Sequence, residues 1–237
     1  MNKTDTLTDT PPPTPCLFLD ASGQLPVVGV WGGVAWQAFR QGTASTAETL
    51  FALVKEVLEE AGQMRLHNCA GFIFVEGPGS VLGISIVAMA LRTWRALPEC
   101  AVKPLFSAGT FSLAAHLLLR AHPREHAFSL LADSRQGWWN TARVRRAAEL
   151  PAVVEMRDSE LSILPQPRFL LSQRTPSKVP VDCQPFPKTL LEQDPAVLHT
   201  QGLLRRTDVP DAVNPPAQYT KWLPQRHCGT LAKSPGK

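Results

Sequence analysis

Residues 70–94 read Ala70-Gly71-Phe72-Ile73-Phe74-Val75, then Glu76-Gly77-Pro78-Gly79-Ser80, then Val81-Leu82-Gly83-Ile84-Ser85-Ile86-Val87-Ala88-Met89-Ala90-Leu91-Arg92-Thr93-Trp94. The first six are apolar and partly aromatic, which suits a buried strand. Two glycines flanking a proline make a tight turn. Ser80 is placed to cap a helix, because its hydroxyl can accept from an N–H of the first helical turn. Residues 81–91 are apolar nearly all round, so this helix is expected to be buried on most sides. Arg92 ends the run well short of the roughly 20 residues of a membrane span. The unit reads strand, glycine turn, buried helix. Such a turn lets a backbone come close to a phosphate at a helix N-terminus. It lacks the spacing of a dinucleotide fingerprint and the Gly-Lys-Ser/Thr of a P-loop. A plain strand-to-helix turn packed on a neighbour is the alternative.

The chain around this unit is long enough, at 237 residues, to bury a real core as one large domain or two lobes. A hydrophobic fraction of 44% and a mean hydropathy of −0.07 are those of a globular protein. The net charge of +4 permits an anionic partner without demanding one. Cys16, Cys69, Cys100, Cys183 and Cys228 are odd in number and form no Cys-x-x-Cys, which argues against a disulfide scaffold or a structural zinc site. The N-terminus is polar with no apolar signal core, so a reducing cytoplasm and no membrane are expected.

In chain order, residues 1–15 are Thr, Asp and Pro and are expected to be a disordered tail. A strand opens at Cys16. Residues 26–31 and 34–39 read as a hairpin around Gly32-Gly33, giving three consecutive antiparallel strands. Ser45 and Glu48 have capping-box spacing. Leu50, Phe51, Val54, Val57, Leu58 and Ala61 then form a helical stripe over residues 46–61, with Gly62 suited to C′. A short strand is expected at 101–106, a helix at 111–120, and a strand at 126–132 that turns at Asp133–Gly137 and returns at 138–144. Beyond residue 150 prolines accumulate, and only a strand at 169–171 and helical pieces within 189–207 are readable.

Three stretches carry a family resemblance. Glu76-Gly77-Pro78-Gly79-Ser80-Val81-Leu82-Gly83 resembles the Gly-Pro-Gly-Ser-Phe-Thr-Gly segment of the TsaB (YeaZ) family. Leu17-Phe18-Leu19-Asp20-Ala21-Ser22 is similar to that family's opening strand, and Ala132-Asp133-Ser134-Arg135-Gln136-Gly137 to its Asp-Ala-Arg-x-Gly. Pro215-Pro216-Ala217-Gln218-Tyr219 faintly resembles its closing motif. Val81, Leu82 and Ser85 depart from the family's Phe, Thr and Arg. The resemblance implies a reduced actin-like ATPase (RNase H-like) α/β fold with a mixed sheet, helices and two lobes. The division expected is a tail at 1–15, an N-terminal actin-like lobe at 16–123, a divergent Pro-rich lobe at 124–225 and a tail at 226–237.

The function implied is that of a non-catalytic subunit in the synthesis of threonylcarbamoyladenosine at position 37 of tRNA. Such a subunit supports a TsaD-type transferase and, through that pair, meets a TsaE-type ATPase. It touches tRNA indirectly and pairs with itself when the partner is absent. The stripe Leu50, Phe51, Val54, Val57, Leu58 and Ala61, with the helix at 81–91 beside it, would then form the partner interface, since that helix is apolar on more sides than one sheet can cover. Gly77, Pro78, Gly79, Ser80 and Gly83 would be the glycine turn, and Asp20, Asp133, Arg135 and Gly137 the other motif positions. No cofactor of its own is implied, with a nucleotide at the partner interface as the variant. A glycoprotease-like hydrolase and a divergent scaffold unrelated to tRNA are the alternatives.

The residues themselves offer little conventional chemistry. Asp20 sits where actin-like folds place an acid near a metal–water or phosphate, but it equally suits a cap on the Ala-Ser-Gly turn. His116 stands where catalytic relatives of the TsaD type carry two histidines at i and i+4; one imidazole makes no metal site. No Ser/His/Asp or Cys/His arrangement is readable, and His67 beside Cys69 is a matter of proximity. Arg135, Arg143, Arg145 and Arg146 with Trp138 and Trp139 could hold RNA by phosphate contact and stacking, or form a solvated strand edge over buried tryptophans.

Overall fold

The computed structural model describes residues 6–7, 11–123, 127–145, 152–172, 182–187 and 189–210. Expectations for the rest of residues 1–10, for His126 and Arg146, for the motif at 215–219, for Cys228 and for the tail at 226–237 lie outside the described residues. The first elements are β1 (Thr6–Leu7), β2 (Cys16–Asp20), β3 (Val27–Trp31), β4 (Trp36–Gln41), α1 (Thr46–Glu60), β5 (Gly71–Gly77), α2 (Val81–Arg95), β6 (Leu105–Gly109) and α3 (Thr110–Ala121). After these come β7 (Ala127–Arg135), β8 (Trp138–Arg145), β9 (Val153–Arg157), β10 (Arg168–Ser172), β11 (Cys183–Pro185), the one-turn α4 (Leu190–Gln193) and β12 (Arg205–Thr207). Short 3-10 turns occupy Leu66–Asn68, Asp158–Ile163 and Pro195–His199.

Two mixed sheets result. The larger has seven strands in the order β1-β12-β6-β5-β2-β3-β4, the smaller five in the order β11-β10-β7-β8-β9. β2, β3 and β4 run antiparallel in sequence, and β5 and β6 add in parallel beside β2. The parallel strands alternate with helices, as crossover connections require. β5 is buried along its whole length, since helices cover both of its faces.

One face of the large sheet packs under α1 and α2, where Leu50, Val54, Val57, Val87, Leu91 and Trp94 meet Leu17, Leu19, Val30, Phe72 and Phe74. The other face packs under α3 and the segment after α4, through Leu113, Leu117, Val197, Leu198 and Leu203 against Phe18, Trp31, Ile73 and Val75. α3 is shared. Its Leu113 and Leu117 face the large sheet, while Phe111, Ala114, Ala115 and Leu118 face Phe128, Leu130, Ala142 and Phe169 of the small one. Residues 190–207, inside the range that the sequence assigns to the second lobe, therefore lie on the large sheet. Trp36 and Trp31 fix them there by donating to Leu191 O at 2.9 Å and Pro195 O at 3.2 Å. Arg120 of α3 adds a bidentate pair with Asp194.

Several local expectations change. α2 is not buried all round: Leu82 is 67% and Met89 62% exposed, because only one sheet and α1 cover it. It is α3, held between two sheets, that is apolar and buried on most sides. Ser45 does not close a capping box; its hydroxyl donates to Glu48 Oε1 at 2.8 Å instead of accepting from the backbone. The strand expected at 101–106 begins only after Pro104, and Val102 is 90% exposed. β4 starts at Trp36, since Gly32–Ala35 make the turn, closed by a Gly32 N–H to Ala35 O bond of 2.9 Å. β7 runs on through Arg135, so the turn shrinks to Gln136-Gly137.

Candidate functional site

Two of the three motif stretches meet at the C-terminal ends of β2 and β5. Asp20 closes β2, and its carboxylate accepts the Ser22 N–H at 2.8 Å, an Asx turn that bends the chain. The Ser22 carbonyl in turn accepts the Ser80 N–H at 2.7 Å. The glycines are needed for this close approach. A Cβ on Gly79 would stand 2.4 Å from Ser22 O, and one on Gly83 2.4 Å from Ala21 O, both backbone atoms that cannot swing aside. Gly77, before Pro78, has φ +108°, open to glycine and strained for other residues. Ser80 caps α2 as expected, accepting from Gly83 N at 3.3 Å. Nearby, Glu76 is almost fully buried and pairs with Arg205, tying the end of β5 to β12.

Beside this junction lies a cavity of about 460 Å³ between the two sheets. Its polar lining is Asp20, Ser22, Gln24, Gln41 and Thr110; Leu113, Leu117, Leu170, Leu171 and Phe186 supply much of the rest. Burial pushes the Asp20 carboxyl above its ordinary range, and the hydrogen bonds from Ser22 pull it only partly back. The Thr110 hydroxyl is buried with no hydrogen-bond partner. Thr110 opens α3 straight after β6. The sequence offers a signal for it, a Gly-Thr step between strand and helix like Gly79-Ser80. Reading the strand at 101–106 puts its end too early for that step to fall there.

The third motif stretch lies elsewhere, on the small sheet. Arg135 pairs with Glu155 at 3.3 Å, and its guanidinium sits 4.6 Å from the Trp138 ring, with that of Arg157 at 5.0 Å. Gly137 has φ +75° and its carbonyl accepts the Asp158 N–H. Asp133 pairs with Trp139 across β7 and β8. The basic–aromatic group is thus largely closed on itself, while Arg143 and Arg145 point to solvent.

Of the stripe on α1, Leu50, Val54, Val57 and Leu58 are core residues and Ala61 is partly buried. Phe51 is 60% exposed and touches Trp94 edge-on, with ring centroids 6.3 Å apart. On α2, Leu82, Ile86 and Met89 share a face by spacing; Leu82 and Met89 are open and Ile86 half-covered.

Nucleophile and metal candidates stay apart. Cys69 is buried and His67 exposed. Burial lifts the Cys16 thiol to about 12 and the Cys69 thiol to about 11, leaving both protonated at neutral pH. His116 is half-buried on α3, and desolvation, with a smaller contribution from Arg120, lowers its pKa. Among the described residues no three His, Cys, Asp or Glu side chains group as a metal site would. No helix among them is long and apolar enough to cross a membrane.

The two mixed sheets, the helices packed on and between them and the cleft make a mixed α/β fold. No protein-family model matches the sequence, and no curated protein matches it either. Among solved structures the chain is similar to YeaZ from Pseudomonas aeruginosa, with a TM-score of 0.51 and 15% identity over 69% of this chain and 71% of that one. It is equally similar to an uncharacterized protein with similarity to peptidase YEAZ from Pseudomonas aeruginosa, at 0.51 and 17% over 65% and 74%. At such identities the likeness is one of fold.

Proposed function

We propose that this chain is a TsaB-type, non-catalytic subunit of the machinery that makes threonylcarbamoyladenosine at position 37 of tRNA. In this role it supports a TsaD-type transferase and reaches a TsaE-type ATPase through that pair. The fold likeness to YeaZ supports the family reading. The observation that supports the partner reading is the apolar exposure on the α1–α2 pair, although Val34, Val102, Val154 and Ile163 are also open elsewhere. Phe51, Leu82 and Met89 stand open on helices whose other apolar residues are largely committed to the core. Exposed apolar residues grouped on one element mark a protein-binding face. The interface therefore falls on Phe51 and the outer face of α2, with Leu50, Val54, Val57 and Leu58 supporting it from beneath.

The experiment deletes the gene and measures threonylcarbamoyladenosine in tRNA by mass spectrometry, then complements with Leu82→Glu. Loss of the nucleoside on deletion, and failure of the variant to restore it or to co-purify the transferase, is expected. An unchanged nucleoside level after deletion defeats the proposal.

A further inference from the structure

The cavity between the sheets has the volume of a small-molecule site. Its lining divides by character. Leu113 and Leu117 of α3, Leu171 of β10 and Phe186 offer an apolar wall, while Asp20, Gln41 and Thr110 offer polar atoms. Among the described residues Asp20 is the only ionisable side chain in that lining; no Lys, Arg or His belongs to it. Asp20 has no basic partner of its own in the turn, only the Ser22 N–H and hydroxyl. A carboxylate in an apolar cleft without a counter-charge favours a cation and repels phosphate. The first turn of α3 brings roughly half a positive charge, which is less than the full charge of the carboxylate. At the start of α2, Ser22 O accepts the Ser80 N–H and Ser80 Oγ accepts the Gly83 N–H. Thr110 belongs to the lining, and its hydroxyl is buried without a hydrogen-bond partner.

We propose that this cleft binds a small primary amine with an apolar body, its ammonium group facing Asp20 and its body lying against Leu113, Leu117, Leu171 and Phe186. The site does not depend on the proposed partnership, since the α1–α2 face lies on the opposite side of the large sheet from α3. The described lining supplies no cationic side chain to hold the charge of a nucleoside phosphate.

The test titrates the isotopically labelled full chain with phenethylamine, 2-phenylethanol, phenylacetate and magnesium-ADP, following backbone amide resonances. The amine is expected to shift the signals of Asp20, Gln41, Thr110 and Leu171 and to bind at least about tenfold tighter than the alcohol. Phenylacetate and ADP are expected to leave those signals in place. Asp20→Asn keeps the shape of the turn and should bring the amine down to the level of the alcohol. Ala114→Phe should fill the cavity and abolish both; if that variant does not fold, the Asp20→Asn arm decides alone. An intact amine preference in Asp20→Asn overturns the proposal. So does tighter binding of phenylacetate or ADP, or silence of all four probes at millimolar concentration.

Discussion

At the scale of single residues, the junction between Asp20 and the glycine turn is governed by contact distances. Gly79→Ala and Gly83→Ala each drive a methyl group into a backbone carbonyl 2.4 Å away, so the turn at 20–22 has to move off α2. Each change is expected to destabilise by about 1–3 kcal/mol or more, the range of overpacked cores. Thermal melts check this, and a wild-type melting temperature in either variant refutes the account of the turn. Asp20 gives a second prediction. Its folded pKa lies above the ordinary 3.8, chiefly because burial disfavours the charged form. The native state is therefore relatively stable while the group is protonated, below the unfolded pKa, and loses that stability as pH rises through the folded value. Asp20→Asn removes the penalty. It should raise the melting temperature at pH 7, with the gain fading as the pH falls toward about 4. A gain that grows on acidification reverses the sign and sinks the argument.

At the scale of elements, α1 separates core from surface within one stripe. Leu58→Ala should cost about 2–5 kcal/mol, since Leu58 is buried among α1, α2 and the large sheet. Phe51→Glu should stay within about 0.5–1 kcal/mol of wild type, as exposed substitutions do. Chemical denaturation of both variants checks the pair, and equal losses would mean that Phe51 belongs to the core. How far each element is readable depends on its patterning. α1 is legible from its apolar period and from Gly62, which has φ +101°. The β2–β3–β4 meander is legible from Gly32-Gly33 and β-branched runs. The glycine turn is legible as a turn, but the sequence alone does not say that Gly79 and Gly83 serve close approach and Gly77 serves φ. β6 reads too early because Ala101 and Val102 are apolar yet lie in an exposed turn. β12 is invisible: Arg205-Arg206-Thr207 has no strand pattern, and its pairing is supplied by the edge of β6. The cavity is legible only at Asp20, since Gln41, Thr110, Leu171 and Phe186 come from four separate segments that only the tertiary fold assembles.

At the scale of the whole molecule, the two sheets are joined through α3, which commits Leu113 and Leu117 to one and Leu118 to the other. Such a shared helix should make the sheets open together. Leu118→Ala is expected to lower hydrogen-exchange protection in β5 of the large sheet as well as in β7 of the small one. Loss confined to β7 would show two independently opening units. The placement of β1 and β12 bears on the order in which a ribosome delivers the chain. β1, early in the chain, pairs with β12, and β12 pairs with the outer edge of β6. A nascent chain that has emerged only to residue 200 holds most of the large sheet, yet its β6 edge is still open and β1 has nothing to join. Folding during synthesis thus leaves a sticky seam until the last described strand arrives, and a stalled or truncated chain is the form most apt to aggregate.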